Sequence, residues 1–169
     1  MVCFPILKPS TGLNLNRIGV ISDTHGLLRT SVLDALDGVS LIIHAGDIGS
    51  KQVLTELRKI APLAAVRGNV DKGPWTRRLR LREYVEVAGT ACYIVHDIAD
   101  LDLDPYAAGI RIVIHGHSHK PRIVEKGGVM YLNPGSVGPG RFKLPVSMAY
   151  LYVRGNGSVS AEILHLKEE

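Results

Sequence analysis

Seven side chains of metal-ligand type fall in five short stretches of the chain: Asp23 with His25, Asp47, Asn69, His96, and His117 with His119. Each stretch comes directly after an apolar run. Asp23 and His25 are two residues apart, so in extended chain both side chains share a face and can address one atom. Gly116-His117-Ser118-His119 repeats the device. Two carboxylates, one amide and four imidazoles are too many for one tetrahedral ion. They suit two ions sharing a carboxylate, the arrangement that clamps a phosphoryl group during in-line displacement. Imidazole and oxygen donors without thiolate point to manganese, iron, zinc, nickel or cobalt.

The elements that must hold these groups are legible from the apolar periods. Arg17–Ser22 reads as a buried strand, Ser31 opens a short helix with Asp34 as a weak capping box and Gly38 as its stop, and Leu41–His44 is a second strand. Ser50 N-caps a helix whose Val53, Leu54, Leu57 and Ile60 form one face, Pro62 ends it, and Leu63–Val66 is a third strand. Alternating strands and helices argue for parallel pairing with right-handed crossovers. Asp23, Asp47 and Asn69 then recur in steps of 24 and 22 residues (23 to 47 to 69), about what a strand, a short helix and two loops consume. All three belong at one carboxyl edge of the sheet, where open α/β sheets bind ligands.

Beyond Pro74 the pattern changes. Arg80–Val87 and Ala91–Val95 read as an antiparallel hairpin turned at Gly89-Thr90, Asp100–Ala108 as a short helix, and Ile110–His115 as another buried strand. Extended runs follow near 121–126, 129–132, 146–153 and 158–164. Two stacked sheets with helices on their outer faces accommodate this order. Residues 1–16, with no sustained period, read as an N-terminal extension, and 17–169 as a single domain.

Composition sets outer bounds. The chain has 169 residues, 46% hydrophobic and 21% charged, which excludes disorder and a pure coiled coil. A net charge of +4 permits phosphate-bearing ligands, while 5% aromatic residues count against a module that stacks unpaired bases, so nucleic acid is not indicated. No apolar run approaches the roughly 18 residues of a membrane span, and the start lacks a secretory pattern. Cys3 and Cys92 have no metal spacing and fit a reduced, cytoplasmic chain. The oligomeric state, including a homo-oligomer, is left open.

Asp23-x-His25, Gly46-Asp47, Gly68-Asn69, His96 and Gly116-His117-x-His119 together resemble the signature of the calcineurin-like metallophosphoesterase superfamily. Val66–Asp71, His117–Pro121 and Asn133–Ser136 are most similar to its small, single-domain YfcE-like phosphodiesterases. The resemblance covers residue 17 to the C-terminus. It implies a four-layer αββα sandwich of two mixed sheets and a hydrolase acting on small phosphodiesters. It also implies two divalent ions, Mn2+ first, with Ni2+, Zn2+, Fe2+ or Co2+ as alternatives. One ion would take Asp23, His25 and His119, the other Asn69, His96 and His117, with Asp47 bridging and a hydroxide between the ions as nucleophile. Asp47, Asn69 and His96 carry the catalytic role in that scheme. Rival expectations are a phosphomonoesterase or nucleotide hydrolase of the same fold, and a non-catalytic scaffold similar to the retromer subunit built on it.

Two positions depart from the family pattern. Val70 stands where many members have a histidine thought to protonate the leaving group, which favours substrates whose leaving group needs little protonation. Asp97 follows His96 where glycine is usual; it is read as a surface turn residue, with a role beside His96 as the alternative. Arg77, Arg78, Arg80 and Arg82 read as the solvated face of an edge strand rather than as a steering patch. Arg67 is open between a phosphate contact and a surface ion pair, and Trp75 between flanking the substrate mouth and plugging a hydrophobic gap. His44 and His115 are expected to hydrogen-bond in the core, His165 to lie at the surface, and Asn133–Ser136 to form a turn near the site.

Overall fold

The apolar runs form strands and the amphipathic ones form helices in this computed structural model, which describes residues 15–140 and 144–167. Residues 1–14 of the expected extension, Cys3 among them, lie outside the described residues. The first strand begins two residues earlier than expected: β1 spans Leu15–Ile21 and is followed by α1 (Thr30–Leu36), β2 (Leu41–His44), α2 (Lys51–Ile60) and β3 (Leu63–Ala65). Then come β4 (Arg82–Val87), β5 (Thr90–Val95), β6 (Ile112–Ile114), β7 (Arg122–Lys126), β8 (Val129–Asn133), β9 (Ser147–Arg154) and β10 (Val159–His165).

Two five-stranded mixed sheets result, ordered β10-β9-β1-β2-β3 and β4-β5-β6-β8-β7. In the first, β1, β2 and β3 are parallel and β9 and β10 antiparallel. In the second, β5, β6 and β8 are parallel, with β4 and β7 antiparallel at the edges. Side-chain alternation puts Ile18, Val20, Ile43 and Leu151 of the first sheet against Cys92, Ile94, Ile112, Ile114 and Leu132 of the second. Burial pushes the Cys92 thiol up to about 12, so it is protonated and packs as a small apolar residue. The other face of the first sheet, with Ile21, Ile42 and Met148, is covered by Val32 and Leu36 of α1 and by Val53, Leu54 and Leu57 of α2. Each such fully buried aliphatic side chain contributes about 1.5–3 kcal/mol.

On the outer face of the second sheet the covering layer is the segment 98–110, whose Leu101, Leu103 and Ile110 pack over Val95, Val113 and Val129. Where a helix over Asp100–Ala108 was expected there is a single 3-10 turn, Ile98–Asp100, and then further turns. Pro105 removes a helical donor, and the Asp97 and Asp104 carboxylates accept the N–H groups of Ala99 and Ala107, which holds the backbone in turns instead. Other local corrections are small. Arg29 is the N-cap of α1, so Ser31 lies inside the helix and forms no capping box. Ser50 caps α2 through its backbone alone. The hairpin turns at Ala88-Gly89, since Thr90 already pairs with Val87. Among the described residues no helix is long and apolar enough to cross a membrane.

Candidate metal centre

The loops that follow β1, β2 and β3 in one sheet and β5 and β6 in the other meet at one edge of the sandwich. Backbone hydrogen bonds join them. The Asp23 and His25 N–H groups donate to the carbonyls of Gly46 and Asp47, and Gly116 N–H donates to His96 C=O. Six described non-glycine residues have positive φ: Asp23, His25, Asp47, His117, His119 and Ala88. Five of the six are sequence-selected ligands. A left-handed backbone costs a non-glycine residue on the order of 1–3 kcal/mol and persists where the surroundings over-determine it, most often at functional sites.

Motif glycines make the close approach possible. A Cβ on Gly68 would come within 2.1 Å of Asp47 Oδ1, and one on Gly116 within 2.8 Å of Asp23 Oδ2. Both carboxylates therefore sit against bare backbone.

Asp23, His25 and His119 bring their ligand atoms together, and so do Asp23, Asp47 and His96. His119 Nε2 is 3.2 Å and His25 Nε2 3.9 Å from Asp23 Oδ1. Asp47 Oδ2 stands between, 3.4 Å from His96 Nε2 and 4.0 Å from His25 Nε2. Asn69 Oδ1 is 3.1 Å from His96 Nε2. His117 belongs to neither group: its ring centroid lies 5.2 Å from that of His96, and its Nε2 lies 3.5 Å from Asp97 Oδ2.

His96 Nδ1 is 2.8 Å from the Ala45 carbonyl, to which it donates, so Nε2 is turned toward Asp47 and Asn69. That is the outer contact that orients an imidazole ligand. Burial works against charge on both partners of the His96–Asp47 pair. Their mutual attraction outweighs it, raising His96 and, with the Val70 N–H bond, lowering Asp47. Asp23 is fully buried, and its Oδ1 accepts no hydrogen bond. A buried carboxylate oxygen without a donor, facing imidazole nitrogens, is what a divalent cation satisfies. The residues fit a metal.

Sequence comparison agrees with this geometry. Residues 17–156 match the calcineurin-like phosphoesterase superfamily domain. A probable metallophosphoesterase of Methanothermobacter thermautotrophicus is 39% identical over 158 residues, covering 87% of this chain and 91% of that protein. The chain belongs to the calcineurin-like phosphoesterase superfamily. Solved structures share its fold. An archaeal phosphodiesterase superposes with a TM-score of 0.70 at 23% identity, over 88% of this chain and 99% of that one. Vacuolar protein sorting 29 of Cryptosporidium parvum superposes with a TM-score of 0.73 at 17% identity, over 89% and 98%.

The remaining expectations sort as follows. His44 is buried: its Nδ1 accepts the Gly46 N–H, its Nε2 is 2.9 Å from Thr24 Oγ1, and burial lowers it to about 3. His115 is half-buried and 3.4 Å from Asn133 Nδ2, and His165 is exposed. Trp75 packs against the core layer under the helices, which is the plug and not the mouth. Only Arg82 of the four clustered arginines lies in a strand. Arg77, in a 3-10 turn over Pro74–Arg78, lines with Arg67, Lys72 and Arg82 a cavity that also touches Asn69, His96 and His117. The edge-strand reading of that cluster is thereby corrected.

Three further residues brace the loops of the site. Asp71 accepts the N–H groups of Ile48, Gly49 and Gly68, tying the Asp47 loop to the Gly68-Asn69 loop. Asn133 Nδ2 donates to Gly116 C=O and Ser118 Oγ, and Ser136 Oγ donates to Asp23 C=O. Asn133 and Ser136 lie in the turn expected near the site, whereas the role of Asp71 escaped sequence reasoning.

Proposed function

We propose that the protein is a metal-dependent phosphodiesterase acting on small phosphodiesters. The observation that carries this reading is the buried Asp23 carboxylate with an undonated oxygen, ringed by His25, His119, Asp47 and His96. Asp23, His25 and His119 would hold one divalent ion and Asn69, His96 and His117 a second, with Asp47 shared. Bound there, two cations acidify water and neutralise charge on phosphoryl oxygens.

The chain's own groups orient and exclude. Ala45 C=O fixes the His96 tautomer, Gly68 and Gly116 let the carboxylates be buried, and Asn133 and Ser136 brace the loops behind them. Val70 presents an aliphatic side chain beside Asn69, so no proton reaches the leaving group from that position. Diesters with acidic leaving groups are therefore favoured over monoesters of alkyl alcohols.

The test is hydrolysis of bis-p-nitrophenyl phosphate and of p-nitrophenyl phosphate with manganese, by wild type, EDTA-treated protein and Asp47→Asn. Manganese-dependent turnover of the diester, at least tenfold above the monoester and lost in Asp47→Asn, supports the reading. Equal rates in all three preparations reject it, and a monoester preference replaces the diester assignment.

A further inference from the structure

Beside Asn69, His96 and His117 opens a cavity of about 640 Å³, within the size of ligand sites for nucleotide-sized molecules. The segment 67–77 contributes Arg67, Lys72 and Arg77 to its lining. None of the three makes a side-chain hydrogen bond or ion pair with any described residue. The acid amid them in sequence, Asp71, is buried and engaged with three backbone N–H groups. The remaining cation of the cavity, Arg82, is engaged by Asp102 and the Asp100 carbonyl. Asp97 and Asp100 also line it, and Leu81, half of whose surface is exposed, adds an apolar contact.

Three cations without a side-chain partner in the lining of one cavity attract an anion of fitting size. A lone diester at the metal centre supplies a single negative charge there. We propose that the substrate carries a second phosphate, held by Arg67, Lys72 and Arg77, joined through an organic part that rests on Leu81. This inference rests on the phosphodiesterase reading for the position of the scissile group, while the anion site stands on the cavity itself.

The experiment compares two dinucleotides, TpT and its 5′-phosphorylated form pTpT, as probes. Their binding to the metal-free protein is titrated by NMR chemical shifts at low salt. The expected result is about tenfold tighter binding of pTpT, a factor in keeping with charge-assisted phosphate contacts. In Arg67→Gln/Arg77→Gln the advantage is expected to fall below threefold. Arg58→Gln/Arg154→Gln, an equal charge change outside the cavity, is expected to retain it. Equal affinities, absence of binding by both probes, or an advantage that survives Arg67→Gln/Arg77→Gln each overturn the proposal. Discrimination without any diester hydrolysis keeps the anion site and sinks the phosphodiesterase reading. Hydrolysis without discrimination does the reverse.

Discussion

Asp97 Oδ2 lies 3.5 Å from His117 Nε2, while Asp97 Oδ1 accepts the Ala99 N–H. The residue is thus a turn residue whose carboxylate meets the ring of His117, whereas the alternative reading paired it with His96. It faces the imidazole that stands outside the two buried groups. A carboxylate in that position aims the ring.

Asp97→Asn is accordingly expected to weaken manganese binding by about tenfold, the low end for loss of a partner behind a metal ligand. Isothermal titration of metal-free protein measures it. An unchanged affinity would assign Asp97 to the turn alone.

Asp71 accepts backbone N–H groups from both the Asp47 loop and the Gly68-Asn69 loop. Replacing one of its oxygens with an amide, as in Asp71→Asn, sets an N–H against backbone donors. The expected loss is about 2–4 kcal/mol, read as a lower urea midpoint with an unchanged slope.

Gly68→Ala would place a methyl within 2.1 Å of Asp47 Oδ1. The carboxylate must then move or the loop must open. Manganese-dependent activity is expected to fall at least a hundredfold, and metal affinity with it, while far-UV circular dichroism stays native. Retained activity would show that the loop yields without moving Asp47.

His44 makes stability acid-sensitive. Its imidazole titrates near 6.5 when unfolded and about 3 when folded. Between those values the unfolded chain takes up a proton that the folded chain refuses, so stability falls as pH drops through that window. The slope reaches about 1.4 kcal/mol per pH unit, and above the upper value the effect is absent. His44→Asn should flatten the dependence of the urea midpoint between about pH 4 and 6, measured in EDTA. A parallel curve would shift the acid sensitivity to other groups.

Metal removal has a thermal signature too. Manganese at about a hundredfold excess over its dissociation constant adds about 2.7 kcal/mol to the folded state. Differential scanning calorimetry should show a higher Tm with manganese than with EDTA, and no difference in Asp23→Ala.

Much of this was legible in the residues because periodicity and burial coincide. Val53, Leu54 and Leu57 mark the inward face of α2, and the similar steps from Asp23 to Asp47 to Asn69 follow from repeated strand-helix units. What failed was local competition for backbone donors. Asp97 and Asp104 divert N–H groups into turns, so the 98–110 segment covers its sheet without becoming a helix. Pairing of Val87 with Thr90 likewise moved the hairpin turn one residue back. In the site, contacts between distant loops were invisible. The Asp71 clamp spans 22 and 23 residues to Gly49 and Ile48, and nothing in its immediate neighbours announces it. The rim arginines were misread because a sequence shows charge density but not which charges lack partners.

Asp23, Asp47 and Asn69 hang from one sheet, and His96, His117 and His119 from the other. An ion gripped by both sets would rivet the two halves of the sandwich together at a single rim. Chelation would then do more than silence chemistry. It would free the seam to gape, and amide exchange along the ends of β2 and β6 would quicken while the far rim kept its protection.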